Sequence, residues 1–487
     1  MTRLDGPSLA ARLGAGGHAF EVPAYDREAH GAGIVHLGLG AFHRAHQGVC
    51  TDAALAAAGG DWRIVGASLR SGEAVEAVRA QHGLYTVLER DGGGTRARVV
   101  GSLADAVAAA RDPRGLAAHL ASPSTRIASL TVTEKAYAEG GPGSVGAHLV
   151  EGLAGRRAAG LAPFTVLCCD NLPANGEAVR RLVLELAERR DPALARWIEA
   201  EAAFPSTMVD RIVPAATDAT RADAREALGL EDRLAVETEP FFRWVIEDRF
   251  VVGRPAWEAG DATFVDDVAP WEAAKLRMLN GAHSLIAYAG SLLGHVTVAD
   301  AVADPALRAL VRRHMLAAGA TLAPGGPDPV AYAGALLERF DNPALRHRTV
   351  QIAADGSEKV PRRWLGAAER AVELGDDARP FALALATWAR WCEGRDDAGT
   401  VHAIDDPRAG ALREAAARGG TGRERVDALV EALGWSDAAF VRRPEARAAV
   451  GAALDALHGR GVRAALDAEA GTIGTAGPGD GLGVGRR

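Results

Sequence analysis

Residues Gly33 to Gly60 read GIVHLGLGAFHRAHQGVCTDAALAAAGG. A short apolar run, Ile34 to Leu37, enters the glycine turn Gly38-Leu39-Gly40, and an alanine-rich helical stretch follows and stops at Gly59-Gly60. A second apolar run, Trp62 to Leu69, leads into another helical pattern, EAVEAVRAQ. Strand, turn, helix and strand in this order open a βαβ unit. In that setting the first glycine allows a tight turn, and the second lets the backbone approach a pyrophosphate at a helix N-terminus. The usual third glycine is missing: His43 stands there, flanked by Phe42 and Arg44. A bare G-x-G is a weak signal, and Arg44 reads either as a phosphate contact or as a solvated helix residue. Past Leu69 come Arg70 and Glu73. Glu73 would meet ribose hydroxyls and favour NAD, Arg70 would meet a 2′-phosphate and favour NADP, and both readings stay open.

Outward from this unit, strands are expected at Tyr85–Leu88, Arg96–Val100, Ile127–Val132 and Phe164–Cys169, with helices between several of them, as at Pro113–Ala121 and Gly176–Arg190. The first half is therefore expected to be a mixed or parallel sheet covered by helices. From about Pro270 onward, apolar residues recur at helical spacing, in WEAAKLRMLNGAHSLIAYAGSLLG and FALALATWARWCEG among others, so the second half reads as mainly helical. The division expected is a domain over 1–270, a helical domain over 271–470 and a glycine-rich, disordered tail over 471–487. No repeat of fixed period is visible.

Of the 487 residues, 48% are apolar and 24% charged, and 55 basic against 63 acidic residues leave a net charge of −8. That balance disfavours nucleic acid as a partner. No apolar run reaches membrane-spanning length and no leader pattern is present, so a cytoplasmic protein without a membrane partner is expected. Cys50, Cys168, Cys169 and Cys392 are too scattered for a disulfide framework. His43, His46 and Cys50 fall at i, i+3 and i+7 and would share a helix face, but no fourth metal ligand lies nearby and no metal is expected.

Only three basic residues are lysines, Lys135, Lys275 and Lys359; the other 52 are arginines. A lysine that persists in so arginine-rich a chain marks a place where arginine cannot serve, because a desolvated lysine can lose its proton near neutral pH and act as a base. Lys275, Asn280 and His283 lie on one expected helix. At about 100° per residue, Asn280 is roughly 140° and His283 roughly 80° around the axis from Lys275, so the three can face one cavity from its centre and edges. The set suits oxidation of a secondary alcohol, which needs a base for the hydroxyl proton, donors around the oxygen and a hydride acceptor. Helix packing around a snorkelling lysine is the competing reading. Asp170, Asn171 and Asn175 cluster where a strand ends, the place where ligands gather in open α/β sheets. Asp210 and Arg211 sit between apolar residues, as either cleft-lining groups or a structural ion pair. No Tyr-x3-Lys pair and no convincing zinc set occurs.

The segments HLGLGAFHRAHQ, SLTVTEKAY, CDNLPANG, FPSTMVDRIVPAAT, EPFFRWVIEDRFVVGRP and KLRMLNGAHSLIAY resemble the mannitol dehydrogenase family of long-chain polyol dehydrogenases, in order from about Gly33 to about Pro361. The resemblance implies an α/β fold with an N-terminal Rossmann-type NAD(P)-binding domain and a mainly α-helical C-terminal domain, substrate held between them, and metal-independent chemistry. By the same resemblance Lys275 matches the catalytic base, Asn171 and Asn280 the oxyanion-binding pair, His283 the substrate-binding histidine, Asp210 an acidic active-site residue and Glu272 a carboxylate assisting proton exit. Lys359 matches a substrate-contacting lysine, Gly38, Gly40, Phe42 and Arg44 the nucleotide turn, and Glu73 falls near the acid associated with NAD preference, with NADP the alternative. Eight residues before Lys359 stands Gln351, where mannitol dehydrogenases carry arginine, and LRHRTVQIAADGSEKVP looks more like fructuronate reductases. Arg346, His347 and Arg348 would supply a cation for a uronate carboxylate, or form a surface basic patch. The expected activity is interconversion of D-mannonate and D-fructuronate, with mannitol 2-dehydrogenase as the alternative and a catalytically silent nucleotide-binding relative as the outsider. The sequence leaves the oligomeric state open.

Overall fold

The computed structural model describes residues 2–132, 134–137, 141, 143–345 and 347–472. By its internal contacts the chain divides after Val268 into two compact units, the second beginning at Ala269. The expected boundary was at Pro270. The expected tail disorder lies, from residue 473 on, outside the described residues, whereas Gly471 closes the helix Val462–Gly471.

In the first unit five parallel strands form the central sheet: β1 (Ala32–Leu37), β2 (Arg63–Ser68), β3 (Leu103–Ala108), β4 (Ile127–Leu130) and β5 (Thr165–Cys168). Their spatial order is β3-β2-β1-β4-β5, the order of the dinucleotide-binding fold. The chain reverses direction across the sheet between β1 and β4, which opens a crevice beyond the carboxyl end of β1. Both faces of the sheet are covered. Val35, Leu37, Val65 and Ala128 pack with Leu149, Leu153, Val179 and Val183 of the helices Val145–Ala158 and Asn175–Arg190. Ile34, Ile64 and Ile127 face Val49, Ala54, Leu55, Val75 and Val78 on the other side. Burial on both faces is why these strands read as continuous apolar runs rather than as alternating patterns.

Two smaller sheets complete this unit. The hairpin of Tyr85–Asp91 and Gly94–Val100 is flanked by Phe20–Glu21 and Val236–Thr238. A three-stranded sheet joins β6 (Thr207–Asp210), β7 (Arg243–Glu247) and β8 (Ala262–Val265) in the order β8-β7-β6. Of these strands only those of the hairpin were expected; the rest are five residues or shorter and carry too little periodicity to stand out.

The second unit is helical. Its central helix, Gly281–Leu292, is buried along most of its length, and Arg379–Trp391 packs with it around Tyr288, Trp364, Phe381 and Trp391. Among the described residues no helix is long and apolar enough to cross a membrane.

Candidate active site

The glycine turn at the end of β1 is dictated by steric exclusion. Gly38 has φ +107, and a Cβ there would stand 1.9 Å from the carbonyl oxygen of Thr131 on the neighbouring strand end. Gly40 is different: a Cβ would meet only the Gly38 carbonyl, at 3.7 Å, so the space beside it is open. The helix that follows is short. It spans Ala41–Ala45 and breaks at His46, where φ is −116 and ψ −92, before the chain resumes as Gln47–Ala58. Side chains take the carbonyls that a continuous helix would have used: Tyr85 Oη donates to Arg44 O at 2.8 Å and Arg211 Nη1 to Ala45 O at 2.6 Å.

That break removes the single helix face on which His43, His46 and Cys50 were expected. His43 is fully buried and stacks on His36, with ring centroids 3.5 Å apart. His46 Nε2 lies 3.2 Å from Arg243 O, and Cys50 Sγ donates to Trp257 O at 3.3 Å. Burial also raises the Cys50 thiol above its ordinary pKa. Among the described residues no group of three or more His, Cys, Asp or Glu is gathered as a metal site would need.

Arg44 is buried rather than solvated, and its Nε has no hydrogen-bond partner. Burial draws its pKa down, against the opposing influence of Tyr85 and the buried Asp232. The open space at Gly40 and this orphaned donor fit a phosphate-bearing ligand. Phe42 packs beside His46, with centroids 4.9 Å apart. Glu73 opens the helix Glu73–Ala80, is largely exposed and pairs with Arg233 at 3.6 Å.

At the end of β5, Asp170 and Asn175 have structural work and Asn171 stands exposed between them. Asp170 accepts from Val132 N at 2.7 Å and also from Tyr137 Oη, tying the loop after β4 to β5. Asn175, fully buried, donates through Nδ2 to Asp170 O and Thr207 O and accepts from Thr207 N, all at 2.9 Å. The loop presenting Asn171 is thus clamped to β6. Asp210 ends β6, buried, opposite Arg243 in register. Arg211 pairs with Glu89 at 2.6 Å and also donates to Glu239 O.

In the second unit, Glu272 lies on the helix Ala269–Ala274, and Lys275 to Asn280 form a wide turn with i→i+5 bonding before the α-helix resumes at Gly281. The expected arc assumed a regular α-helix. An i→i+5 turn advances each residue by less than 100°, so Lys275, Asn280 and His283 stand closer around the axis than the regular helix allows. Lys275, Asn280 and His283 are half-buried. Burial, with Arg339, His347 and Arg363 nearby, holds the His283 imidazole well below its ordinary pKa, so it is neutral. Space at Gly281 is tight: a Cβ would come 3.0 Å from His314 Nε2 and 3.3 Å from Trp364 Nε1.

A second i→i+5 turn, Pro361–Leu365, packs on the first. It follows Lys359, whose Nζ donates to Ala354 O at 2.7 Å and lies 3.6 Å from Asp355. Burial and Arg363 lower the Lys359 pKa, while Asp355 opposes. From this turn Trp364 Nε1 donates to Gly281 O at 3.1 Å, and Arg363 Nη1 donates to Asn280 O at 3.1 Å and Ser284 Oγ at 2.7 Å. Arg363 was not among the expected site residues, and its neighbour in RR, Arg362, is exposed. Arg348, which was expected to join the site, is exposed, and its backbone bridges Thr297. Arg346 and the side chain of Lys135 lie outside the described residues.

Comparison with known proteins agrees with this architecture. A family model described as the mannitol dehydrogenase Rossmann domain matches residues 32–259, and one described as the mannitol dehydrogenase C-terminal domain matches 267–457. The D-mannonate oxidoreductase of Escherichia coli is 42% identical over 91% of this chain and 96% of its own length. The mannitol 2-dehydrogenase of Cereibacter sphaeroides is 38% identical over 81% of this chain and 88% of its own. Among solved structures, the Pseudomonas fluorescens mannitol 2-dehydrogenase ternary complex with NAD and D-mannitol matches with a TM-score of 0.75 and 34% identity, covering 96% of this chain and 99% of that one. The fold and the motif-bearing turns define an oxidoreductase built on a Rossmann-type domain and a helical domain. The chain belongs to the mannitol dehydrogenase family.

Proposed function

We propose that this protein is an NAD-dependent oxidoreductase that interconverts D-mannonate and D-fructuronate, with Lys275 moving the proton. The wide turn that draws Lys275 and Asn280 together on one helix carries the reading, since it pairs a titratable amine with an amide donor. The substrate class is supported by the D-mannonate oxidoreductase relative, which this chain matches over nearly its whole length. NAD, when bound, supplies the hydride acceptor. Gly38, Gly40, Phe42 and Arg44 would hold it, and Glu73 would meet its ribose. Lys275 takes the proton of the C5 hydroxyl during oxidation and returns it during reduction. The side-chain amide of Asn280 donates to the same oxygen and stabilises its developing charge, and Asn171 is the second donor that the family resemblance assigns. Neutral His283 orients a neighbouring hydroxyl, Lys359 a further oxygen, and Glu272 and Asp210 complete the polar surroundings.

Mannitol 2-dehydrogenase is the second reading, favoured by the structural match to the Pseudomonas fluorescens enzyme. Steady-state NADH oxidation with D-fructuronate against D-fructose separates the two. A large preference for fructuronate is expected, and a preference for fructose refutes the assignment. Running the same assay with NADPH reads the nucleotide preference, with NADH expected to win. Inactivity on every ketose and ketouronate despite nucleotide binding would mark a silent relative instead.

A further inference from the structure

Arg363 is a partly buried cation. Its Nη1 is spent on two neutral acceptors, Asn280 O and Ser284 Oγ, and among the described residues no carboxylate reaches it. Burial lowers its pKa, opposed only by the phenol of Tyr288. Removing a charge from water without pairing it is unfavourable, and such groups persist mainly where a ligand completes them. Cations crowd it: Lys359 lies four residues earlier, and His283 lies next to Ser284 and feels the charges of Arg339 and Arg363, while the nearby carboxylate of Asp355 pairs with Lys359. Lys359 already donates to Ala354 O and is offset by Asp355. Arg363 alone of the two keeps uncommitted donors, Nε and Nη2. These form one edge of the guanidinium, the fork that matches a carboxylate in two parallel hydrogen bonds.

We propose that Arg363 receives the carboxylate of the sugar-acid substrate and selects it over a neutral ketose. The proposal rests on the sugar-acid reading above and adds the residue that enforces it. A neutral hydroxymethyl group at the same place would leave the guanidinium unpaired, so discrimination comes from the penalty on the wrong substrate as much as from attraction to the right one.

The test compares kcat/KM for D-fructuronate and D-fructose in the wild type, Arg363→Met and Arg363→Lys, with NADH titration and thermal melting as controls. Arg363→Met is expected to lower the fructuronate-to-fructose ratio about 100-fold, the scale of removing one partner of a desolvated charge pair. Arg363→Lys keeps the charge but not the fork and is expected to lower the ratio roughly tenfold. If Arg363 only holds the Asn280 carbonyl, both substrates fall alike and the ratio stays put, which overturns the inference while leaving fructuronate as the substrate. A wild type that prefers fructose overturns both. Should Arg363→Met fail to fold, the ratio in Arg363→Lys decides alone.

Discussion

The imidazoles of His36 and His43 lie 3.5 Å apart between centroids and 13° from parallel, at the root of the glycine turn. His36 sits on β1 and is held at both nitrogens, by Ser129 Oγ and Thr131 Oγ1 at 2.8 Å each. His43 occupies the place of the third glycine, whose usual task is close packing of helix on strand. Here a ring fills the gap; a separate close approach falls at Gly48, where a Cβ would lie 2.2 Å from Tyr85 Oη of the hairpin. His43→Ala should therefore leave a cavity under the turn and lower stability by about 2–4 kcal/mol, the range for large-to-small changes in a core. Urea denaturation measures the loss, and NADH titration should weaken with it.

Asn175 carries three buried hydrogen bonds between the ends of β5 and β6. Asn175→Ala leaves Thr207 N and two carbonyls without these partners, at a cost of about 2–4 kcal/mol. Because the clamp positions the loop with Asn171, kcat should fall while NADH affinity changes little. Denaturation and steady-state kinetics on the same preparation check both parts.

Lys275→Ala should lower kcat by roughly 10²–10⁴-fold, the usual contribution of a positioned acid-base group. NADH affinity, read by fluorescence titration, should stay at the wild-type value. A parallel loss of nucleotide binding would assign Lys275 a structural role instead.

Two buried histidines make the fold acid-sensitive. Burial pushes His314 down to about 4 and His36 down to about 3, from an ordinary 6.5. Between 6.5 and those values the unfolded chain binds the protons that the folded one refuses, so the stability these two groups contribute is full above pH 6.5 and is lost as pH falls through that window. His314, wedged between Trp364 and Phe381, should account for roughly 3 kcal/mol of the loss. His314→Leu should narrow the gap between melting temperatures at pH 7.5 and pH 4.5.

The βαβ opening, the turn at Gly38 and the helical second half can be read from residue order alone, as can the reason for proposing Lys275 as a base. Each is a local matter: an apolar run, a glycine or a lysine among arginines says the same thing wherever the rest of the chain goes. Legibility failed where distant segments decide. The helix after Gly40 breaks because Tyr85 and Arg211, 41 and 166 positions from the carbonyls they take, draw off its last bonds. The arc of Lys275, Asn280 and His283 narrows because one turn is wide, which apolar spacing does not register. Arg363 looked like one of 52 arginines. Only its seat against Asn280 and Ser284, some 80 residues away, half-buries it without a counter-charge among the described residues, since desolvation and pairing are properties of the packed chain and have no counterpart in the order of its residues.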